Sequence, residues 1–529
     1  MSLMTDKERA LARTVSKLAY CNPFLPERIE CEQQALGPEF VATGLVWHAR
    51  DESLENPNVT QLNERVEALS KGLRERVARG GRAGSQDLRL YEDLTLYLLY
   101  NRYEADFYHV ILERKGATRR LGFYPRFAAD LNHYLGIPKV VFPTPLEPAQ
   151  LFAFFFQIRR AFHLIFRNIV GGSMPAARLR ASVWQSIFTR DLERYRRSLY
   201  DRMHDISTLI TGPSGTGKEL VAQAIGLARY IPFDPEKQTF TQDFAESFYA
   251  LNLAALSPTL IESELFGHRR GAFTGAVQDR VGWFEMCPPP GTVFLDEIAE
   301  VDISIQVKLL RVLQTRTFQR IGDTQDRRFH GKIIAATNRD LAAEIQTGRF
   351  REDLYYRLCS DLIETPSLGE QLQDSPQELP NLLRFIAQRL AGDSEAEPLA
   401  GEAERWIEEH LGRDYRWPGN VRELEQCVRN VLVRGEYRPS RPASGSTRDA
   451  LVEGLLRGSL TVDQLLRRYC TLIYAQTESY QETARRLGLD RRTVKEKIDD
   501  ELLKHLRAED STATKPSRSK ASVPSQPTN

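Results

Sequence analysis

Apolar positions along this chain of 529 residues follow two spacings, and the changes between them divide it. Up to about residue 172 the spacing is helical. Leu62 to Val77 and Leu88 to Glu113 place apolar residues three and four apart behind charged faces. The run Gly80-Gly81-Arg82-Ala83-Gly84 separates the two. Leu151 to Phe166 (LFAFFFQIRRAFHLIF) predicts a helix with a broad aromatic stripe, which core packing explains best; a ligand pocket or a docking helix is the rival use. From about Ala177 to Gly435 short apolar runs alternate with helical patterns, which predicts an α/β fold on a parallel sheet. Glu378 to Val433 is a helical stretch interrupted by the turn Pro418-Gly419-Asn420. Pro439 to Thr447 is rich in Pro, Ser and Gly and predicts a flexible linker. Helical patterns resume at Asp449, and Tyr480 to Ile498 reads as helix, glycine turn, helix. There Ala484, Leu487, Leu489, Val494 and Ile498 supply the apolar contacts. The Ser/Pro/Lys-rich end from Ser511 to Asn529 predicts disorder.

Composition narrows the class. The length suits about three domains of ~100–200 residues. With 27% charged and 41% hydrophobic residues and a net charge of +1, the chain reads as a soluble globular protein. Any nucleic-acid surface must then be local. The six cysteines lie far apart without CxxC spacing, so a disulfide framework or zinc site is not expected. The first ten residues lack an apolar signal core. The most apolar run, Leu151 to Val170, is broken by Arg159, Arg160 and Arg167, which argues against a membrane span. A cytoplasmic protein is expected.

The chemistry concentrates in the middle. Leu209-Ile210 leads into Gly212-Pro213-Ser214-Gly215-Thr216-Gly217-Lys218, and a helical pattern follows from Leu220. Strand, glycine loop and helix in that order form a P-loop: backbone N–H groups and the helix N-terminus surround an anion, and Lys218 adds a point charge. Glu219 stands where Ser or Thr usually holds magnesium. Thr292 to Leu295 is an apolar strand ending in Asp296 and Glu297, placed to hold magnesium and to activate a water. Ile333 to Ala336 is a second such strand, ending in Thr337 and Asn338. Gly271-Ala272-Phe273-Thr274-Gly275-Ala276 reads as a mobile surface loop presenting Phe273. Arg351 and Arg357 lie six apart, as arginine fingers for a neighbour's phosphate would in a ring. Arg422 begins a helix after the turn Pro418-Gly419-Asn420.

The ordered set GPSGTGKE, ESELFGHRRGAFTGA, GTVFLDEI, AATNRDL, FREDLYYRL and WPGNVRELEQ resembles the AAA+ domain of sigma-54-dependent transcriptional activators, the bacterial enhancer-binding proteins. The resemblance covers residues 178–437, and GAFTGA is highly specific to that family. It implies an ATP-hydrolysing homo-oligomer, dimer to hexamer, with ATP and Mg2+ at subunit interfaces. Lys218 would bind phosphates and Glu219 would be the family's usual residue. Asp296 would hold the metal, Glu297 activate water, and Asn252 act as the switch restraining Glu297. Thr337 and Asn338 match sensor I, Arg351 and Arg357 the trans-acting fingers, and Arg422 sensor II. Residues 271–276 would touch sigma-54 in the RNA polymerase holoenzyme. The C-terminal stretch is similar to a Fis-type helix-turn-helix, with Arg491, Arg492, Thr493, Lys495 and Lys497 towards upstream DNA. The sequence departs from the family at Leu253, at Thr365-Pro366-Ser367-Leu368-Gly369-Glu370, and around Trp184 and Arg194-Tyr195-Arg196-Arg197.

The expected architecture is therefore multidomain. A mostly helical regulatory domain of unknown signal fills 1–172, an α/β subdomain of the AAA+ P-loop NTPase 178–362 and its helical lid 363–437. A linker at 438–449, a helix-turn-helix at 450–507 and a disordered tail at 508–529 complete it. Two rivals are a DNA-binding regulator that uses the fold only to oligomerise and a remodeller of some other target.

Overall fold

A computed structural model describes residues 3–42, 56–80, 83–113, 119–145, 147–243, 247–439, 460–499, 502, 503 and 506. Residues 440–449 of the expected linker and the expected tail at 508–529 lie outside the described residues.

The first part of the chain is helical, as its spacing predicts. Helices α1 (Asp6–Tyr20), α2 (Glu27–Leu36), α3 (Pro57–Ala78), α4 (Ser85–Glu113), α5 (Tyr124–Leu135), α6 (Pro148–Asn168) and α7 (Met174–Phe188) follow in order. A capping box starts α1: the Thr5 hydroxyl accepts from Glu8 N, and the Glu8 carboxylate accepts from Thr5 N. Every residue of α6 from Leu151 to Ala161 is buried, because the helix has structure on opposite sides. Phe152 meets Phe107 of α4 at 4.9 Å and Phe127 of α5 at 5.2 Å. Phe152 and Phe156 also meet Phe233 at 4.5 Å and Phe240 at 4.2 Å, both beyond α7. The aromatic stripe is core.

A one-turn helix α8 (Leu192–Arg194) and a wide turn, Tyr195–Leu199, lead into the α/β part. It runs β1 (Thr208–Thr211), α9 (Lys218–Leu227), the ribbon β2 (Phe233–Asp234) with β3 (Thr239–Phe240), β4 (Phe248–Asn252) and α10 (Pro258–Phe266). Next come the ribbon β5 (Gly267–His268) with β6 (Arg280–Val281), α11 (Trp283–Met286), β7 (Thr292–Asp296) and α12 (Ile303–Thr315). The ribbon β8 (Thr317–Phe318) with β9 (Arg327–Arg328), then β10 (Lys332–Thr337), α13 (Leu341–Gln346), α14 (Glu352–Leu358) and β11 (Asp361–Glu364) complete it. Five strands form one sheet in the order β11-β1-β10-β7-β4, and all four pairings are parallel.

A parallel sheet must be covered on both faces. Alternate strand residues separate accordingly. Leu209, Val293, Leu295, Ile333 and Ala335 face a core that includes Ile305, Leu309 and Val312 of α12. Ile210, Phe294, Ile334, Ala336 and Ile363 face α9, and that core runs on without interruption into α6, α7 and the other N-terminal helices. The chain up to Tyr437 accordingly forms one compact unit.

The helices of the expected lid, α15 (Leu368–Asp374), α16 (Glu378–Ala391), α17 (Asp393–His410) and α18 (Asn420–Arg434), have their own core around Leu383, Trp417 and Leu424. Gly172 N donates to Glu378 at 2.6 Å and Met174 N to Asp374 at 2.7 Å, tying the lid to the start of α7.

The second unit begins at Arg438. Its described helices are Val462–Thr477, Tyr480–Leu487 and Arg491–Lys497. Gly488 closes the second in a left-handed conformation (φ +64°), and Asp490 caps the third by accepting from Arg492 N. Ala484 and Val494 are buried, while Leu487, Leu489 and Ile498 are half-buried.

Candidate nucleotide site

Carboxyl ends of parallel strands are where loops converge, and here β1, β7 and β10 each end in polar residues. After β1 the chain turns through Gly212 (φ +140°), Gly215 (+80°) and Gly217 (+85°) into α9. The glycines are required twice over. A side chain would be strained at these φ values, and a Cβ on Gly212 or Gly215 would lie 2.2 Å from Thr365 Oγ1 or Gly419 O. Pro213 and Ser214 are exposed, and Thr216 donates to Pro213 O at 2.9 Å. The Lys218 ammonium lies across the loop and donates to Gly212 O at 2.9 Å and Pro213 O at 3.1 Å. Burial pushes its pKa down, while Glu297 and Asp296 pull it up. Glu219 is exposed at the first turn of α9, within 3.4 Å of Gln223 Nε2.

Asp296 ends β7 with its pKa raised by burial, an effect opposed by the Glu297 N–H, at 3.1 Å, and by Lys218. Glu297 adopts a left-handed conformation (φ +55°), so its carboxylate turns towards β10 and accepts from Asn338 N at 3.2 Å. Thr337 is buried, and its hydroxyl accepts from Arg339 N at 3.1 Å. Asn252 was expected to restrain Glu297 but meets Asp296 instead, at 3.4 Å. Register explains the difference: Asn252 and Asp296 are direct partners across β4 and β7, whereas Glu297 has already left the sheet.

The lid reaches the loop through its WPGN turn. Arg422 lies 3.5 Å from Ser214 Oγ, and its backbone N donates to Gly215 O. Two further contacts were not foreseen. Asn420, read only as part of a turn, donates to Ser214 O at 2.9 Å and accepts from Leu368 N at 2.9 Å. Thr365, in the divergent segment, donates to Thr211 O at 3.1 Å and meets Thr216 Oγ1 at 2.7 Å. A positive-φ requirement at Asn420 was the available sequence signal, since Asn tolerates that region. Nothing local marks Thr365.

The remaining candidates lie elsewhere. Gly271 to Ala276 form a tight loop between β5 and β6, closed by Gly271 N to Ala276 O at 2.9 Å. Arg269 anchors its base to Asp279 and Asp323. Thr274 and Gly275 are exposed. Phe273 is half-buried, with its ring edge-on to His268 at 4.9 Å, so it is less open than the glycine brackets suggest. Arg351 pairs with Asp353 in its own chain at 2.7 Å, and exposed Arg357 has no side-chain partner among the described residues. Neither arginine contacts the glycine loop. In the C-terminal unit Arg491, Arg492 and Lys495 are exposed and Thr493 is half-buried. Lys497, expected to face DNA, is held by Asp463 at 2.5 Å because it ends its helix beside the helix that begins at Val462.

A family profile described as "Sigma-54 interaction domain" matches residues 189–364. The Nif-specific regulatory protein of Azotobacter vinelandii is 43% identical over 45% of this chain and 43% of its own length. The transcriptional regulatory protein ZraR of Escherichia coli (strain K12) is 40% identical over 56% of this chain and 63% of its own. The chain thus spans about half the length of these curated relatives. A crystal structure of NtrX from Brucella abortus is 22% identical over 78% of this chain and 85% of its own, with a TM-score of 0.39. Among the described residues, no helix is long and apolar enough to cross a membrane.

Proposed function

Because this chain belongs to the sigma-54-dependent transcriptional activators through the interaction domain at residues 189–364, we propose that it is an ATP-driven activator of sigma-54 RNA polymerase in the cytoplasm. The observation that carries the reading is convergence. Lys218 of α9, the consecutive Asp296 and Glu297 at the end of β7, and Arg422 of α18 come together at one glycine loop. Glycines without room for a Cβ and a buried cation suit a polyphosphate, and a half-buried carboxylate beside them suits a divalent cation. ATP and Mg2+ would supply the transferable phosphoryl group and the charge that neutralises it.

The chain's own residues do the rest. Backbone N–H groups of residues 214–218 and the Lys218 ammonium would bind the phosphates, and Asp296 would hold the metal. Glu297 orients the attacking water and takes up its proton. Asn338, through its N–H, fixes the Glu297 carboxylate, with Thr337 beside it as sensor I. Asn252 holds Asp296, and Glu219 keeps the family's acidic residue on the metal side of the loop. Arg422 and Asn420 make lid position depend on the loop. Arg351 pairs only with Asp353 and Arg357 is exposed, which suits fingers completing a neighbour's site in a ring, a contribution of ~10³–10⁵ in rate.

Gly271 to Ala276 then carry the motion to sigma-54, with Phe273 and Thr274 as the contact. The C-terminal helices act as a helix-turn-helix on upstream DNA through Arg491, Arg492, Thr493 and Lys495, with dimers reading two half-sites. Lys497 braces that module from within. The N-terminal helices gate the motor, with which they share a core.

The test is open-complex formation by purified full chain, sigma-54 RNA polymerase and promoter DNA. ATP should be required, and Glu297→Gln should bind ATP without opening the promoter. Opening that ignores ATP or Glu297 would sink the reading.

A further inference from the structure

Two cavities among the described residues carry cations in their lining. One cavity, of about 440 Å3, is lined by residues of α1, α4, α6 and α7. Its arginines already face carboxylates: Arg28 meets Glu32 at 3.0 Å, Arg159 meets Glu104 at 3.4 Å, and Arg196 meets Glu92 at 3.4 Å. A second cavity, of about 320 Å3, lies at the seam where α6, α7 and the turn after α8 meet the α/β part. It is bordered by the start of β10 and the end of α9, so it is separate from the glycine loop at the other end of the sheet.

Arg229 and Lys332 line this second cavity. Lys332 is 2% exposed. Both spend their hydrogen bonds on backbone carbonyls, Arg229 on Gly291 O and Lys332 on Ile206 O, the latter at 2.7 Å. Among the described residues, no carboxylate forms an ion pair with either. Asp201 is the lone acid of the lining, and it is exposed. Burial lowers the pKa of both cations, to about 10 for Arg229 and about 7 for Lys332. A half-buried guanidinium and a buried ammonium with no ion-paired carboxylate, reached only at longer range by Asp205 and Asp361, are costly; a dianion would offset both where a single carboxylate would leave one uncompensated. The lining also offers the rings of Tyr200 and Tyr230, 4.7 Å apart, and a buried Gln242 Oε1 without a hydrogen-bond donor.

We propose that this seam cavity binds a small phosphate monoester, with its phosphate at Arg229 and Lys332 and its uncharged part against Tyr200 and Tyr230. The site is placed to influence the motor. Arg229 lies just past α9, a helix about 15 Å long at 1.5 Å per residue, whose first residue is Lys218. Gln157 of α6 ties that end in place, donating to Ala228 O at 2.9 Å and to the Tyr195 hydroxyl at 2.7 Å. A ligand there touches the N-terminal helices and the far end of the phosphate-loop helix together.

The experiment uses the full chain saturated with ADP and magnesium, so that the glycine loop is filled, and needs no polymerase. It therefore succeeds or fails independently of the transcriptional reading. Binding of AMP and of inorganic phosphate is measured by calorimetry. One site per chain is expected, with affinity at least tenfold weaker in Lys332→Met and restored in Lys332→Arg. Tighter AMP than phosphate assigns the tyrosine side to a nucleoside, and equal affinities assign the site to phosphate alone. Should Lys332→Met fail to fold, Lys332→Gln, which keeps a donor for Ile206 O, replaces it. No binding of either probe, or binding unchanged in a folded charge-removing variant, overturns the proposal.

Discussion

Asn420, beside Arg422, ties α18 to the glycine loop, and replacing it should be costly. Its side chain is 4% exposed and bridges two segments, donating to Ser214 O at 2.9 Å and accepting from Leu368 N at 2.9 Å. Its backbone sits at φ +53°, where Asn is tolerated and Ala is not. In Asn420→Ala two hydrogen bonds disappear at about 1 kcal/mol each, and the buried Leu368 N–H is left unpaired at a further cost of about 1 kcal/mol or more. The left-handed backbone adds about 1 kcal/mol. The sum is about 4 kcal/mol, borne by the lid and its junction with the loop. Denaturant unfolding of the full chain, followed through buried Trp417 in the lid core, should show the loss, and ATP affinity should fall at least tenfold. Asn420→Gly should recover about 1 kcal/mol relative to alanine, because glycine accepts the backbone conformation. An Asn420→Ala protein within about 0.5 kcal/mol of the parent, with unchanged ATP binding, would refute the assignment of Asn420 as a tie.

Thr365→Val keeps shape but removes the bonds to Thr211 O and Thr216 Oγ1, so stability should drop by about 1–2 kcal/mol in thermal unfolding; an unchanged melting curve would mean the divergent segment plays no part in the loop. A chain beginning at residue 173 should aggregate, because deleting α6 uncovers Phe233, Phe240 and the α9 face that α6 buries; a monomeric fragment melting like the full chain would contradict the shared core. Burial, with Arg229 and Arg316 beyond it, lowers Lys332 from 10.5 to about 7 against the pull of Asp361. Between those values the unfolded chain binds the extra proton, so stability should rise with pH from about 7 to 10. Lys332→Met should flatten that slope in a pH series of denaturation curves, and a parallel slope would refute it.

Sequence and structure agree where chemistry dictates local form. The glycine loop, the strands ending at Asp296 and Thr337, and the helical spacing before residue 172 were all legible, because φ requirements and alternating burial leave marks in single segments. Long-range pairings left none. The aromatic stripe of α6 announced a buried helix, yet nothing in it named Phe233 and Phe240 as partners far along the chain. The Asn252 side chain meets Asp296 where Glu297 was the expected partner, since strand register and the left-handed turn at Glu297 decide that contact. Nor does the basic run Arg491 to Lys497 reveal that Lys497 bonds to Asp463, more than thirty residues earlier. Likewise the glycine brackets around Phe273 suggested an open loop, while the ring rests on His268.

Coupling of hydrolysis to promoter opening is the central claim, and it is measured most directly as open complexes formed per ATP hydrolysed. Full-length chain and its Phe273→Ala variant would be compared with sigma-54 RNA polymerase on the same promoter DNA. Phe273 sits in the loop between β5 and β6 with its ring on His268, apart from the glycine loop, so the variant should hydrolyse ATP at a rate close to the parent's while forming almost no open complexes. Equal promoter opening by both proteins, or hydrolysis by both with opening by neither, would contradict the account.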